Sequence, residues 1–239
     1  RKFLQLEINK SLIIPLKDET EEVVTILQRF KQFLKDDTEL IVVLDEESDP
    51  TFNVLKDSNL GIEILVSEED PGASNAIKYG ITRSKGKYIC IAMGDGSDDP
   101  TQVEDLLLLV ERGLSVSVAS RYSRGGQFIG KKGFKYLLSK YSGKVLYHFF
   151  RIGTKDPTNM FKAYDKKFLE EIKIESSVGF TLGLELVVKA KLKGKSIGEI
   201  PTIWIDRAFG ESKFNLRKFI PKYLKWVRRL LVRRAWVRK

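Results

Sequence analysis

The sequence predicts an α/β fold in which a mostly parallel, Rossmann-like sheet carries helices on both faces. Two observations support this class. Short, β-branched apolar segments alternate along the chain with segments whose apolar residues recur at helical spacing. Each short apolar segment is bounded by polar or turn-forming residues, as is typical of buried strands. Such alternation favours a parallel sheet, because parallel neighbours are joined by crossover helices.

The expected elements follow one another regularly in the first half of the chain. Strands are predicted at residues 10–15, 39–44, 62–66, 87–92 and 115–119, and helices at residues 21–34, 73–84 and 103–112. Regular alternation ends near Arg121. Beyond it the sequence predicts helices at residues 134–150 and 182–193 and a strand at residues 196–205.

Charge divides the chain into two parts. The net charge is +10, yet residues 213–239 contain eleven Lys/Arg and no acid, which leaves residues 1–212 close to neutral. We therefore expect one domain over residues 1–212 and a basic tail over residues 213–239. Nucleic acid is not expected as a partner, since a nucleic-acid-binding domain would carry its basic residues across a folded face. The first residues are too charged for a signal peptide, and no apolar run is long enough for a spanning helix.

The basic tail has the pattern of an amphipathic helix. Its apolar residues recur at helical spacing: Leu216, Phe219, Ile220, Tyr223, Leu224, Val227, Leu230 and Leu231. Lys and Arg residues occupy the remaining faces together with Trp226. This pattern predicts a helix that lies on an anionic membrane surface. The alternative is that the apolar stripe packs on the domain while the charges stay in solvent.

An acidic turn follows the strand predicted at residues 87–92. Asp95, Asp98 and Asp99 lie within five residues, next to Gly94 and Gly96. Hard divalent cations that also bind phosphate oxygens prefer such carboxylates. The alternative interpretation is a capping turn that starts the next helix at Pro100, and the two roles are compatible.

Other candidate residues follow neighbouring strands of the predicted sheet. Pro15, Asp18 and Glu19 come after the first strand, and Asp45 comes after the second. A segment of small residues, Gly72, Ala73 and Ser74, begins a helix whose free N–H groups would suit an anion. Ligands of open α/β sheets bind outside the carboxyl ends of the strands, so these turns are expected to converge on one site.

Together these motifs resemble those of family 2 glycosyltransferases of the GT-A fold. The shared order comprises Ile14-Pro15 with Asp18-Glu19, Asp45-Glu46-Glu47-Ser48, Gly72 with Ala76 and Gly80, Gly86-Lys87-Tyr88-Ile89, Asp95 and Pro100. The second half is similar to the dolichol-phosphate mannose synthase and polyprenyl-phosphate glycosyltransferase group. The motifs that carry this similarity are Ser120-Arg121-Tyr122, Asp156-Pro157-Thr158-Asn159-Met160-Phe161-Lys162-Ala163-Tyr164, Glu185, and Asp206-Arg207 with Gly210-Glu211-Ser212-Lys213.

The resemblance implies an inverting transfer of mannose or glucose from a GDP- or UDP-linked sugar to a polyprenyl phosphate, with Mg²⁺ or Mn²⁺. Met93 stands where the family has the first Asp of Asp-x-Asp, so Asp95 is the expected metal ligand and Asp98 or Asp99 the replacement contact. Arg121 and Lys135 are expected at the acceptor phosphate. The residues expected at the nucleotide sugar are Pro15, Asp18, Glu19, Asp45, Gly72, Ala73, Ser74, Arg207 and Lys213.

The basic tail also predicts a peripheral location on the cytoplasmic face of a membrane. A membrane-anchoring partner or an anchor segment outside this sequence is a further expectation. Three alternatives remain at the level of sequence: a family 2 enzyme with a saccharide acceptor, a nucleotidyltransferase, and a non-enzymatic membrane binder. The only histidine, His148, lies among apolar residues and is not expected to be catalytic.

Overall fold

The computed structural model describes residues 7–177, 179–206 and 216–237. Its strands are β1 (Lys10–Pro15), β2 (Thr38–Leu44), β3 (Glu63–Val66), β4 (Tyr88–Ile91), β5 (Val116–Ser120), β6 (Gln127–Ile129), β7 (Lys162–Asp165), β8 (Ile197–Pro201) and β9 (Ile203–Ile205). Its helices are α1 (Glu22–Phe33), α2 (Pro50–Asp57), α3 (Ala73–Arg83), α4 (Val103–Glu111), α5 (Phe134–Phe150), α6 (Lys166–Glu170), α7 (Gly179–Leu192) and α8 (Leu216–Val237).

Seven strands form one twisted sheet in the order β3-β2-β1-β4-β7-β5-β8. Only β7 runs antiparallel, between β4 and β5, and every other pair is parallel. The parallel strands therefore end at one common edge, which we call the carboxyl edge. A separate two-stranded sheet of β6 and β9 lies beyond this edge.

The core lies on both faces of the sheet, as the alternation of side chains along a strand requires. In β1, Leu12 and Ile14 pack with α1 and α4, whereas Ile13 packs with α3 and α7 on the opposite face. Helix α3 approaches β1 very closely, since a Cβ atom at Gly80 would lie 2.7 Å from the Ile13 side chain. The predicted arrangement of helices on both faces is confirmed.

Sequence patterns missed the elements that depart from simple alternation. Helices α2 and α6 and strands β6 and β7 were not predicted, and the strand expected at residues 196–205 is divided by Thr202 into β8 and β9. Strand β7 gave little signal because it is short and because Lys162, in its first position, is charged yet fully buried.

The tail forms helix α8, and part of its apolar stripe packs on the domain. Trp226 and Leu230 are buried in a cluster with Leu146 of α5 and Val187 of α7. The prediction that Trp226 shares the polar face was wrong, because its ring is buried and Lys189, Lys225 and Arg229 lie over it. Among the ranges the structure describes, no helix combines the length and apolar character needed to cross a bilayer.

Candidate active site

The three carboxylates of the acidic turn after β4 have different surroundings. Asp95 is partly exposed, and its carboxylate accepts a 3.0 Å hydrogen bond from the Ser97 N–H. Asp98 is buried and accepts a 3.0 Å bond from the Met93 N–H. Asp99 accepts from the Thr101 N–H at 3.1 Å and so caps the short 3-10 turn that begins at Pro100. The capping alternative is confirmed for Asp99.

Burial raises the pKa of Asp98 to about 7, and the negative charge of Asp95 acts in the same direction. The Met93 N–H and the cations Arg121 and Lys162 act against this shift. A positive charge next to Asp98 would favour its ionised form. The carboxylate pair is thus a place where a bound cation would be stabilised.

The acidic turn offers a divalent metal two neighbouring carboxylates, those of Asp95 and Asp98. Among residues 7–177, 179–206 and 216–237, no three His, Cys, Asp or Glu side chains cluster as metal ligands. Mg²⁺ is commonly held by one or two carboxylates together with substrate phosphates. Asp95 and Asp98 supply two carboxylates. These residues therefore fit a divalent metal whose other ligands come from the diphosphate of the substrate.

The turns after β1, β2 and β3 are joined by Asp45. Its carboxylate accepts from the Gly72 N–H at 3.0 Å and from the Lys17 ammonium at 3.3 Å. The hydrogen bond to Asp45 raises the pKa of Lys17. Asp45 therefore holds the start of α3 against the first turn, as the predicted convergence requires.

Asp18 and Glu19 are held through their backbones by the start of α2. The Asp18 N–H donates to Asp49 at 3.0 Å, and the Glu19 N–H donates to the Thr51 hydroxyl at 2.8 Å. Asp49 also caps α2 by accepting from the Thr51 N–H. Burial alone would raise the pKa of Asp49, but these hydrogen bonds lower it. Sequence reasoning missed Asp49, although an Asp directly before Pro50 is a known helix-start signal.

Pro15, at the end of β1, and the start of α3 lie at the carboxyl edge, as predicted. The side chain of Ser74 differs from the other residues of this edge. Ser74 is fully buried on the side of α3 that faces the sheet. Its side chain is therefore covered, whereas the expectation for Ser74 concerns the backbone N–H groups at the start of α3 and stays a prediction. Gly72, with φ +141°, begins the helix at the edge itself.

Arg121 follows β5 and is fixed by Asp156. The Arg121 Nε and one Nη nitrogen donate to the two Asp156 oxygens at 2.7 and 2.8 Å, and the Arg121 N–H donates as well. The rings of Tyr122 and Trp204 lie 5.1 and 5.5 Å from the guanidinium carbon. Because the fork of a guanidinium has further N–H donors, Arg121 can hold Asp156 and still donate to a phosphate.

A chain of hydrogen bonds supports Asp156 from behind. The Asp156 N–H donates to the Thr154 hydroxyl, which in turn donates to Glu199 of β8 at 2.9 Å. Asp156 is fully buried. This support fixes the orientation of Arg121 relative to the sheet, a function that the sequence motif alone did not assign to Asp156.

Lys162 is a second site residue that sequence reasoning missed. Its ammonium is fully buried and donates to the Pro157 carbonyl at 3.2 Å. Burial lowers the pKa of Lys162 to about 7, against the opposing charges of Asp156 and Asp98. The only signal in the sequence is a lysine inside an otherwise apolar segment, Met160-Phe161-Lys162-Ala163-Tyr164.

The β6–β9 sheet closes one side of the acidic turn. The Ile205 N–H donates to the Ser97 carbonyl at 3.3 Å, and Phe128 stacks on Trp204 with ring centroids 4.9 Å apart.

Two predicted contacts of the nucleotide sugar, Arg207 and Lys213, lie outside the described residues. Lys135 lies in the first turn of α5, and its side chain is also outside the described part.

Comparison with known proteins identifies the class. The family model "Glycosyl transferase family 2" matches residues 11–173, so the chain belongs to this family and is a glycosyltransferase. The fold agrees with GT-A neighbours. It superposes on glucosyl-3-phosphoglycerate synthase from Mycobacterium tuberculosis, solved with Mn²⁺, UDP and glucosyl-3-phosphoglycerate, with a TM-score of 0.68 and 15% identity, over 94% of this chain and 79% of that one.

Two curated relatives narrow the similarity further. Dolichol-phosphate mannosyltransferase of Pyrococcus furiosus is 26% identical over 92% of this chain and 63% of its own length. Polyprenol monophosphomannose synthase of Mycolicibacterium smegmatis is 28% identical over 59% of this chain and 56% of its own length. The chain thus spans less than two thirds of either relative. Family membership decides against a nucleotidyltransferase and against a non-enzymatic binder.

Proposed function

We propose that this glycosyltransferase moves a hexosyl group, mannose or glucose, from a GDP- or UDP-linked sugar to a polyprenyl phosphate. One observation carries the proposal: Arg121 is fixed by Asp156 at the carboxyl edge, in a chain that is similar to two curated proteins named as a dolichol-phosphate mannosyltransferase and a polyprenol monophosphomannose synthase. The acceptor phosphate would bind the remaining donors of Arg121, with Lys135 as a second proposed contact.

In the proposed reaction, an oxygen of the acceptor phosphate bonds to the anomeric carbon while the bond from that carbon to the diphosphate breaks, so the centre is inverted. A polyprenyl phosphate is already ionised near neutral pH, and the attack therefore needs no general base. Mg²⁺ or Mn²⁺ held by Asp95 and Asp98 would stabilise the charge on the departing nucleotide.

The chain's own residues supply the remaining requirements. Asp45, Gly72 and the backbone of residues 15–19 form the proposed nucleotide side, because Asp45 ties these loops together beside the acidic turn. Asp18, at φ +54°, keeps a strained backbone there that the Asp49 carboxylate supports. Arg207 and Lys213 remain proposed contacts of the donor diphosphate.

Peripheral association with the cytoplasmic face of a membrane also remains a proposal. In α8, Ile220, Leu224 and Leu231 are exposed beside the buried Trp226 and Leu230, so part of the apolar stripe is available to lipid. Ending the chain before α8 would not be a clean test. It would remove Trp226 from the core cluster and destabilise the domain.

The proposal is tested by turnover with the full chain in detergent. Candidate donors, GDP-mannose, UDP-glucose and GDP-glucose, are combined with a polyprenyl phosphate and Mg²⁺ or Mn²⁺, and lipid-linked product and released nucleotide are measured. We expect product only with metal and with an ionised lipid phosphate. Transfer to 3-phosphoglycerate or to a free saccharide, without transfer to the lipid, would replace the proposed acceptor while leaving the glycosyltransferase class intact.

A further inference from the structure

Helix α5 has an exposed apolar face along its full length. The face consists of Phe134, Leu138, Tyr141, Val145 and Phe149, which follow one another at intervals of three or four residues and therefore lie on one side of the helix. These side chains are between 36% and 68% exposed. A contiguous apolar surface of this kind usually marks an interaction site. We call it the α5 face.

The orientation of the α5 face is fixed by packing on the other side of the helix. Leu146 is buried in the cluster that contains Trp226 and Leu230 of α8. At Gly143 the backbone is so close to the domain that a Cβ atom would lie 2.1 Å from the Lys155 carbonyl oxygen. The Ser139 hydroxyl is 2.9 Å from that of Thr158. Rotating the helix to bury the α5 face would break all three contacts.

The surroundings of the α5 face are basic. Residues 124–151 contain seven Lys/Arg and no Asp or Glu. Lys140 lies 5.3 Å from the Tyr136 ring centroid and Lys144 lies 5.9 Å from that of Tyr141, so cations border the face itself. Docking of a second copy through this surface would bring two basic rims together. An anionic lipid surface complements both the apolar centre and the basic rim.

We propose that the α5 face lies in the interface of an anionic lipid bilayer, with its apolar side chains at the acyl boundary and the surrounding Lys and Arg side chains at the headgroups. Tyr136, in the first turns of α5, packs on Phe128 and Tyr122, next to Arg121. Bilayer contact would therefore place lipid headgroups beside the proposed acceptor site. This last consequence rests on the proposed function, whereas lipid contact by α5 does not.

A single fluorescent label can report lipid contact directly. The sequence has one cysteine, Cys90, and it is fully buried, so a nitrobenzoxadiazole label on a Val145→Cys variant is placed selectively. Vesicles of equal parts phosphatidylglycerol and phosphatidylcholine are added without nucleotide sugar, and phosphatidylcholine vesicles serve as the neutral control. We expect a blue shift and stronger emission with the anionic vesicles. The same label on Phe33→Cys, an exposed position on α1, should not respond.

A second experiment removes the face. The triple variant Leu138→Gln, Tyr141→Gln, Val145→Gln should lose at least about tenfold in binding to the anionic vesicles. Its melting temperature should stay unchanged, because the altered side chains are exposed. The matched control Phe33→Gln should bind like the unaltered chain. A double variant of α8, Leu224→Gln with Leu231→Gln, measures what the tail contributes.

The outcomes separate this proposal from the proposed function. Absence of vesicle binding by the unaltered chain, or binding by the triple variant equal to it, overturns the α5 proposal. So does a dimer in solution that the triple variant converts to a monomer, because the α5 face would then belong to a second copy. Turnover with a short-chain polyprenyl phosphate dissolved in detergent reports the proposed function independently, and the triple variant should retain it.

Discussion

Two buried lysines at opposite edges of the sheet have opposite electrostatic surroundings. Lys10 begins β1, and its ammonium lies 3.3 Å from Asp37 and 3.6 Å from both Glu104 and Glu111. Burial alone would lower the pKa of Lys10, yet these carboxylates raise it. Lys162 begins β7 at the carboxyl edge, donates to a carbonyl group, and has its pKa lowered to about 7 by burial.

The difference separates a charge whose partners lie within the fold from charges that we propose serve a ligand. At the opposite edge, where the parallel strands begin and which we call the amino edge, the positive charge of Lys10 is balanced within the protein. At the carboxyl edge, Arg121 is paired with Asp156, whereas Asp98 and Lys162 are buried with less complete compensation, and burial shifts the pKa of each to about 7. Strongly shifted groups of this kind cluster at functional sites. We therefore expect substitutions at the two edges to affect different measurements.

The largest effect is expected for Asp95→Ala at the carboxyl edge. Turnover should fall by at least about 100-fold, because charge stabilisation by a bound metal is worth several kcal/mol. The circular dichroism spectrum should not change, since Asp95 is only partly buried. Asp105→Ala, an exposed acid on α4, is the matched control and should retain activity. Metal-dependent turnover in a folded Asp95→Ala protein would contradict the assignment.

The next effect concerns the Arg121–Asp156 pair. Asp156→Asn removes the charge that balances a mostly buried guanidinium, and breaking a buried pair costs about 3–5 kcal/mol of unfolding free energy. Urea unfolding measures this cost. We also expect KM for the lipid phosphate to rise more than KM for the nucleotide sugar, and Arg121→Lys should reproduce that pattern because it loses the two-oxygen contact. A selective rise for the nucleotide sugar would mean that Arg121 serves the donor.

A pH comparison of the two lysines sharpens the contrast. Lys162 has a folded-state pKa below its unfolded value of 10.5, so the unfolded chain binds more protons between pH 7 and 10.5. Its contribution to stability should therefore rise with pH over that window, by more than about 1 kcal/mol. The pKa of Lys10 is raised above 10.5, so its contribution should be complete below 10.5 and lost only above it.

The measurement is urea unfolding at several values between pH 7 and 9.5. The unaltered chain is compared with Lys162→Met and with Lys10→Met. Removing Lys162 should abolish the upward slope, whereas removing Lys10 should lower stability evenly across the range. Parallel curves for the unaltered chain and Lys162→Met would show that Lys162 keeps its ordinary pKa in the folded protein.

The smallest effect is expected for Glu111→Gln at the amino edge. The Glu111 side chain is 35% exposed, and Lys10 keeps Asp37 and Glu104 as partners. We expect a loss of less than about 1 kcal/mol in unfolding free energy and unchanged turnover. A large loss of activity from this substitution would break the proposed separation between the two edges.

The sequence alone was sufficient for the regular part of the fold. Helical and strand periodicity report which side of an element is buried, and they identified β1 to β5, α1, α3 and α4 to within a few residues. The position of Asp45, Asp95 and Arg121 after strands was likewise sufficient to bring them to one edge, because parallel strands end together. Strand β7 could not be predicted, since its central position depends on partners from β4 and β5.

Only the tertiary structure decided what the candidate side chains contact. Periodicity gives the direction of Ser74 or Trp226 around a helix, but not whether another element covers that direction, and both residues proved to be buried. The same limit applies to α5 and α8, which are both basic helices with apolar residues. Packing buries Trp226 and Leu230 of α8 and leaves the α5 face exposed. The hydrogen-bonded pairs Arg121–Asp156 and Asp45–Gly72 also depend on the tertiary structure, because their members lie 35 and 27 residues apart in the sequence.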